Sequence, residues 1–152
     1  AAGGIGAATM AIFLAFRPIR RHVGRTLLVV VAIFGISTIV LGTTHSYLVA
    51  FIAMLVIFAA DMVSVFIRSS LVPLVTPDDK RGRVSAVENV FIGASNELGA
   101  FESGAVSSLV GTPVTVIGGG TATMVVAGVW WVAFPSLRGI DRFEDLEDRI
   151  ET

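Results

Sequence analysis

The chain has 152 residues, of which 54% are hydrophobic and 15% are charged, with a net charge of −1. A soluble domain has about 25% charged residues, which it needs to cover its surface, so this composition excludes an ordinary soluble domain and predicts an all-α integral membrane protein. The near-zero net charge indicates no class of partner, and the lack of cysteine excludes disulfides and thiolate–metal sites.

Five apolar segments of roughly membrane-spanning length follow one another along the chain. Their near-continuous apolarity predicts helices rather than the alternating strands of a barrel. The first segment is slightly shorter than the roughly 17–25 residues that cross a bilayer, so we expect it to be clipped at its outer end and the chain to be a fragment. The predicted spans, which together make a transmembrane domain over residues 1–137, are 1–16, 26–41, 47–67, 84–110 and 112–134.

The basic residues all fall in three segments of this arrangement. Four lie between the first and second spans, four between the third and fourth, and three after the fifth, which accounts for all 11 Lys and Arg. The intervening turns, GTTHS and GTP, contain none. Because Lys and Arg mark cytoplasmic loops, the pattern predicts that the N-terminus lies outside and the C-terminus inside.

Local signals mark several helix ends. Ser85 and Glu88 match a capping box that opens the fourth helix. Thr112 and Pro113 fit an N-cap followed by proline at the first helical position. Beyond the fifth span, residues 138–152 place apolar side chains at helical spacing among charges, which predicts a cytoplasmic amphipathic tail.

Glycine-rich pieces of the chain superficially resemble nucleotide-binding loops. GIGAAT in the first span and GGG in the fifth follow no strand of a βαβ unit, which that interpretation requires. Small residues in membrane helices instead allow neighbouring helices to approach closely. The glycines predicted to pack helices in this way are Gly99, Gly104, Gly118, Gly119 and Gly120.

The sequence contains no pairing of a nucleophile with a base and no metal-ligand spacing such as H-E-x-x-H. His22 lies in a basic loop and His45 in an outer turn, where each is expected to be solvated. We therefore predict no enzymatic activity, no cofactor, no metal and no nucleic-acid partner.

One charged residue, Asp61, falls within the third span, and another, Arg68, lies at its cytoplasmic end. Asp61 and Arg68 are seven residues apart, so they share a helix face but are separated by about 10 Å of rise, too far for a direct pair. The long stem of Arg68 lets its guanidinium reach the cytoplasmic interface. Asp61 is too short to do so. It is predicted to serve function or helix pairing, with a partner elsewhere or a water-filled cavity.

The fourth span carries a polar stripe. With 100° of rotation per residue, Ser95, Gly99 and Glu102 fall within about 40° of Glu88, whereas Glu97 lies near 180°, at the edge of the stripe. Apolar side chains cluster on the other side of the helix. The pattern predicts one stripe that faces lipid and one that faces protein or water.

Two unpaired glutamates within a span cost on the order of 5–7 kcal/mol, which is a large fraction of a typical stability. Such carboxyls carry protons or pair with cations, although both can also be structural and bond to a neighbouring helix. Glu102, on the stripe, is the better candidate for a cavity, and Glu97 for pairing with a helix. The candidates for a substrate or proton pathway are Glu102, Glu97, Asp61, Asn96, Asn89, Ser95 and Ser103.

Three stretches carry a resemblance to a known family: RPIRRHVGR after the first span, IRSSLVPLVTPDDKRGRVSAVENVFIGASNELGAFESG across the third and fourth, and GGG in the last. On these stretches, residues 1–140 resemble the C-terminal half of a major facilitator superfamily transporter, from its eighth helix to its twelfth. They look most like the bacterial group that contains the enterobactin exporter, also called transmembrane secretion effectors. RHVGR is similar to the loop motif of that superfamily.

The resemblance implies a twelve-helix fold of two six-helix halves that exports a small molecule (a siderophore, drug or metabolite) by alternating access, driven by protons. It implies a multi-pass protein of the bacterial plasma (inner) membrane, whose partners are the lipid bilayer, the missing N-terminal helices, the substrate and protons. The alternative is a self-contained five-helix module for assembly or interaction, without transport. The cytoplasmic loop and gating candidates are Arg68, Arg81, Arg83, Gly24 and Arg25.

Overall fold

A computed structural model describes residues 2–17, 19, 22–74, 76–77 and 79–135 of the chain. Every regular element within these ranges is an α-helix, which confirms the all-α prediction. The tail predicted over residues 138–152 lies outside the described residues. The five helices are α1 (Ala2–Phe16), α2 (Val23–Thr43), α3 (Tyr47–Leu74), α4 (Arg81–Val110) and α5 (Thr112–Ala133).

Three of the five helices, α2, α3 and α5, are long and apolar enough to cross a membrane. Helix α1 is apolar but has only 15 residues. Helix α4 has 30 residues and is the least apolar of the five. Length and composition of the described helices therefore support three crossings, fewer than the five spans predicted from the sequence.

Helices α2, α3 and α4 extend beyond the predicted apolar segments, most of all α3, which ends at Leu74 rather than at Ile67. Its polar extension satisfies its own hydroxyls, since Ser69 and Ser70 both donate to the carbonyl oxygen of Phe66, at 3.1 and 2.8 Å. Backbone hydrogen bonding continues through polar residues as readily as through apolar ones. An apolar run therefore marks the part of a helix that lipid can solvate, not its ends.

The start of α4 differs from the prediction, which placed Ser85 and Glu88 in a capping box. The helix begins one turn earlier, after Lys80, whose side chain makes no capping hydrogen bond. The first turn is formed by the backbone instead: Lys80 N–H donates to the Pro77 carbonyl and Val84 N–H to the Lys80 carbonyl, both at 3.0 Å. Ser85 and Glu88 consequently lie inside the helix, where the backbone N–H groups already have partners.

A single residue, Gly111, joins α4 to α5. Its φ of 88° lies in the region that glycine adopts without strain. Its N–H donates to the Ser107 carbonyl at 3.0 Å and its carbonyl accepts from Thr115 N–H at 3.2 Å, so it ends one helix and caps the next. Gly111 is thus the N-cap of α5, in place of the predicted Thr112, and Pro113 is the second helical residue.

Four of the helices pack in a fixed order. Helix α3 lies between α1 and α2, and α2 lies between α3 and α5. The buried cluster at one end of this arrangement joins Leu14 of α1, Val23 of α2, and Val63 and Ile67 of α3. Helix α4 packs only lightly against α3 and α5, and none of its residues is buried.

Glycines mark the closest helix approaches. A Cβ on Gly6 would lie 2.5 Å from the Leu55 carbonyl oxygen, and a Cβ on Gly120 would lie 2.8 Å from that of Gly35. These distances bring α1 against α3 and α2 against α5, backbone to backbone. Of the five glycines predicted to pack helices, Gly120 lies at such a crossing. A Cβ on any of the other four would meet no described atom within 4 Å: Gly99, Gly104, Gly118 and Gly119.

We expect Gly120→Ala to destabilise the protein relative to Gly119→Ala. Both changes gain about 0.5–1 kcal/mol of helix propensity, but only the first pushes a methyl group into the α2 backbone, at a cost of about 1–3 kcal/mol. Thermal unfolding in detergent micelles, followed by circular dichroism, measures the difference. Equal melting temperatures for the two variants would contradict the close α2–α5 crossing.

Candidate functional site

Helix α3 has two chemically different faces. Asp61, Ser64 and Arg68 recur at i, i+3 and i+7, which places them on one face. Val63 and Ile67 lie on the opposite face and are buried in the core. Asp61 and Arg68 are exposed and Ser64 is half-buried. The packing of the apolar face therefore turns the charged face away from the core.

The first cleft is a space of about 340 Å³ between α2, α3 and α5. The three residues of the polar face of α3 line one wall. The other walls are mostly apolar and include Phe34 of α2 and Thr123 and Trp130 of α5. The first cleft is thus an apolar space with a carboxylate and a guanidinium on one side.

The second cleft, of about 320 Å³, lies between α3 and α4. Asp61 and Arg68 line it as well, so the two charged residues border both clefts. Helix α4 contributes Phe91, Ser95 and Asn96. The second cleft therefore adds a hydroxyl and an amide to the two charges.

The hydrogen bonding of Arg68 shows how its side chain lies. Its Nε–H donates to the Ser64 carbonyl oxygen at 3.4 Å, within α3. The bond holds the guanidinium against the turn that separates Arg68 from Asp61. Among the described residues neither Asp61 nor Arg68 forms an ion pair, so both charges remain available to the clefts.

The structure brings together four of the residues singled out in the sequence: Asp61, Arg68, Ser95 and Asn96. The other four pathway candidates are exposed on α4 and line neither cleft: Asn89, Glu97, Glu102 and Ser103. Glu102 lies on the same side of α4 as Ser95, but seven residues, or about 10 Å, further along the helix. The helical projection predicts on which side of α4 Glu102 lies, but not which residues of α3 lie at the same level along the helix axis.

The loop and gating candidates lie away from the clefts, with the exception of Arg68. Gly24 is buried in the first turn of α2, while Arg25 beside it is exposed. Arg81 and Arg83 are exposed in the first turn of α4. These four residues therefore lie in the first turns of helices rather than in the connecting loops where the sequence placed them, and their cytoplasmic location and gating role stay predictions.

Several lining residues were not singled out from the sequence. Ser64 had a usable signal, because it lies between Asp61 and Arg68 at helical spacing. Thr123 bonds back to its own helix, its hydroxyl donating to the Gly119 carbonyl at 2.9 Å, and can still accept a hydrogen bond. Phe34 and Trp130 had no signal, since an apolar residue in an apolar helix has the same appearance whether it faces lipid or a cleft.

The arrangement has the chemistry of a binding site for small polar or charged groups. The carboxylate of Asp61 can accept a cation or a proton, and the guanidinium of Arg68 can donate several hydrogen bonds to an anion. Comparison of the chain with models of protein families, with curated proteins and with solved structures found no match. The function is therefore inferred from the geometry of the two clefts and from the sequence.

We expect cysteines placed in the clefts to react from water. The chain has no cysteine of its own. A charged methanethiosulfonate reagent should modify Asp61→Cys and Asn96→Cys at least about tenfold faster than Ile67→Cys, because only a solvated thiolate reacts. Mass spectrometry of the protein in lipid nanodiscs measures the rates.

Val129→Cys is the matched control for exposure without a cleft. Val129 is 54% exposed and lies among apolar side chains of α5. In a bilayer its thiol should face lipid and react slowly. If Val129→Cys reacted as fast as Asp61→Cys, the clefts would not be a distinct route for water.

Proposed function

We propose that this chain is the C-terminal part of a multi-pass exporter of small molecules in the bacterial inner membrane, with transport coupled to protons. The supporting observation is the placement of Asp61 and Arg68, which lie on a helix apolar enough to cross a membrane and border two adjoining clefts. Ionisable residues within membrane helices line substrate, ion or proton pathways. The likeness to exporters of the major facilitator superfamily supports the same function.

The surface of the helices supports a membrane location. Val125, Val129 and Val132 of α5 are each more than half exposed, and many other large apolar side chains share this exposure. An apolar surface of this extent would be expelled from water but is solvated by lipid tails. Hydroxyl groups are satisfied without water: Thr38 and Thr121 donate to carbonyls four residues earlier, both at 2.8 Å.

The packing also supports the proposed orientation. The cluster of Leu14, Val23 and Ile67 brings together the end of α1, the start of α2 and the last third of α3. The basic segments after α1 and after α3 therefore lie at the same end of the packed helices. The other end of α2 meets the start of α5, where a Cβ on Gly42 would lie 3.2 Å from the Pro113 carbonyl oxygen. With the basic end inside, the turn at His45 lies on the periplasmic side of the inner membrane.

We expect impermeant labelling to distinguish the two ends of the molecule. A membrane-impermeant maleimide applied to intact cells should label His45→Cys, in the turn without basic residues. It should label Asp79→Cys, next to Lys80, only after the cells are permeabilised. Both positions are exposed, so accessibility within the protein does not differ. The opposite labelling pattern would contradict the orientation.

Proton coupling is proposed to act through Asp61, the carboxylate that borders both clefts. Carboxylates within membrane helices serve as partners for protons and for cations. Because a proton and an ammonium group of the substrate would occupy the same carboxylate, binding of one excludes binding of the other, which couples their movements. Alternating access would expose the clefts to each side of the membrane in turn.

The exposure of α4 favours either of two completions of the bundle. In the proposed transporter, the missing helices cover α4, including Glu97 and Glu102. In the alternative, a five-helix interaction module, a partner protein covers it. The coding sequence upstream separates them: further membrane spans support the transporter, whereas an initiating methionine and a completed first span support the module.

We expect Asp61→Asn to abolish export while leaving the protein folded. Asn keeps the size of the side chain but can neither release a proton nor pair with a cation, and the initial export rate should fall at least about tenfold, the effect of roughly 1.4 kcal/mol. Mass spectrometry of intracellular small molecules in cells without the protein, with wild type and with the variant identifies the retained compound. Asp79→Asn, which removes a carboxylate outside the clefts, is the matched control.

An uncoupler that collapses the proton gradient should reproduce the retention seen with Asp61→Asn. Export that persisted in both cases would contradict the proposal. Glu102→Gln and Glu97→Gln test the two glutamates on α4 in the same assay. Wild-type export by both of these variants would remove them from the proton pathway.

A further inference from the structure

We propose that the two clefts bind a compact zwitterion, with its ammonium group at Asp61, its acidic group at Arg68 and a short apolar body along the cleft wall. The inference deepens the proposed transport function and rests on it, because it names the class of substrate. It is carried by the spacing of the two charges, by the lack of an ion pair between them and by the size and walls of the clefts.

The spacing of the charges fits two ends of one small molecule. Asp61 and Arg68 lie seven residues apart on one face of α3, which corresponds to about 10 Å along the axis. Arg68 Nε–H donates to the Ser64 carbonyl oxygen at 3.4 Å, which directs the guanidinium toward the turn between the two residues. Charges separated by several methylene groups span more of such a gap than charges separated by one.

The pairing of opposite charges selects a zwitterion over a simple ion. A cation would neutralise Asp61 and leave Arg68 uncompensated, and an anion would do the reverse. A ligand that displaces water from one of these charges without pairing with it removes hydration that nothing replaces, which is costly. A zwitterion pairs with both residues, so neither charge loses water without gaining a partner.

The walls limit the body of the ligand. Volumes of about 340 and 320 Å³ lie at the small end of the range for small-molecule sites. Phe34 and Trp130 offer apolar contact and, to an ammonium group, an aromatic face. Ser95 and Asn96 face the charges from α4 and can hydrogen-bond either end of the ligand. A short aliphatic or aromatic body fits these walls, whereas a large macrocycle does not.

Binding of 6-aminohexanoate to the natural protein that carries this chain, in lipid nanodiscs, tests the inference. Hexylamine and hexanoate are the controls, since each keeps the apolar body and one of the charges. Isothermal titration calorimetry should show that the zwitterion binds at least about tenfold more tightly than either control. Glycine, whose charges are too close, should bind more weakly than 6-aminohexanoate. Equal affinities, or no saturable binding to the folded protein, would overturn the inference.

Two charge-removing variants separate recognition from folding. Asp61→Asn should lower the affinity for 6-aminohexanoate to that for hexanoate and leave hexanoate binding unchanged. Arg68→Gln should lower it to that for hexylamine and leave hexylamine binding unchanged. A misfolded protein would lose all binding, so the retained single-charge binding identifies the role of each residue. If both variants kept the wild-type preference for 6-aminohexanoate over hexylamine and hexanoate, the zwitterion would bind elsewhere, and the inference would be overturned.

The zwitterion could also be the headgroup of phosphatidylethanolamine, which carries an ammonium and a phosphate. Nanodiscs that contain this lipid should then weaken 6-aminohexanoate binding relative to nanodiscs of phosphatidylglycerol. Competition identifies a lipid headgroup as the occupant of the same zwitterion site. Unchanged affinity identifies a soluble zwitterion.

Two outcomes distinguish a failure of zwitterion binding from a failure of the transport function. If mass spectrometry of intracellular small molecules shows that export depends on Asp61, but 6-aminohexanoate does not bind, the zwitterion inference fails and the transport function stands. If 6-aminohexanoate binds as described but Asp61→Asn leaves export unchanged, transport through this site fails and the binding site stands.

Discussion

The contact that the rest of the structure depends on is the burial of one face of α3 against α1 and α2. Ile67 is fully buried and Val63 nearly so, together with Leu14 and Val23. Because successive residues turn by about 100°, this burial fixes the rotation of α3 and directs Asp61 and its charged neighbour to the other side. A rotation by one residue in either direction would move apolar groups out of the core and bring charge toward it, at a cost that far exceeds the loss of a contact.

The crossing of α2 and α5 sets the shape of the space that these charges face. The backbones touch at Gly35 and Gly120. One turn and more beyond that crossing, Thr123, Ala127 and Trp130 follow on the same face of α5 and line the first cleft. On this face of α5, Gly120 has no side chain at the contact, whereas Trp130 places an indole in the wall of the cleft. The small residues bring the helices together, and the large one forms a wall where they separate.

The sequence predicts the parts of the site that carry unusual chemistry for their surroundings. A carboxylate in an apolar run is costly enough to single out Asp61, and a polar stripe on a long helix singles out Ser95 and Asn96. Phe34 and Trp130 could not be found in this way, because packing between membrane helices uses the same apolar residues as contact with lipid. Their role depends on which helices become neighbours, and hydropathy does not contain that information.

The start of α4 shows a second limit of the sequence signals. A Ser and a Glu three residues apart match a capping box wherever they occur, but Ser85 and Glu88 follow a turn that has already begun the helix at Arg81. The Pro77 carbonyl accepts the hydrogen bond that closes this turn. A local motif therefore predicts a cap correctly only when no earlier turn has satisfied the same backbone groups.

The two glutamates of α4 constrain what surrounds this helix. Glu97 and Glu102 are five residues apart, so they point about 140° away from each other. One neighbouring helix covers a stripe of roughly 100°, and therefore cannot compensate both. Neither glutamate lines the clefts against α3. If α4 crosses the membrane, compensating both glutamates takes neighbours on two sides of the helix. A larger bundle provides these neighbours within one protein, whereas a five-helix module depends for both of them on its partner protein.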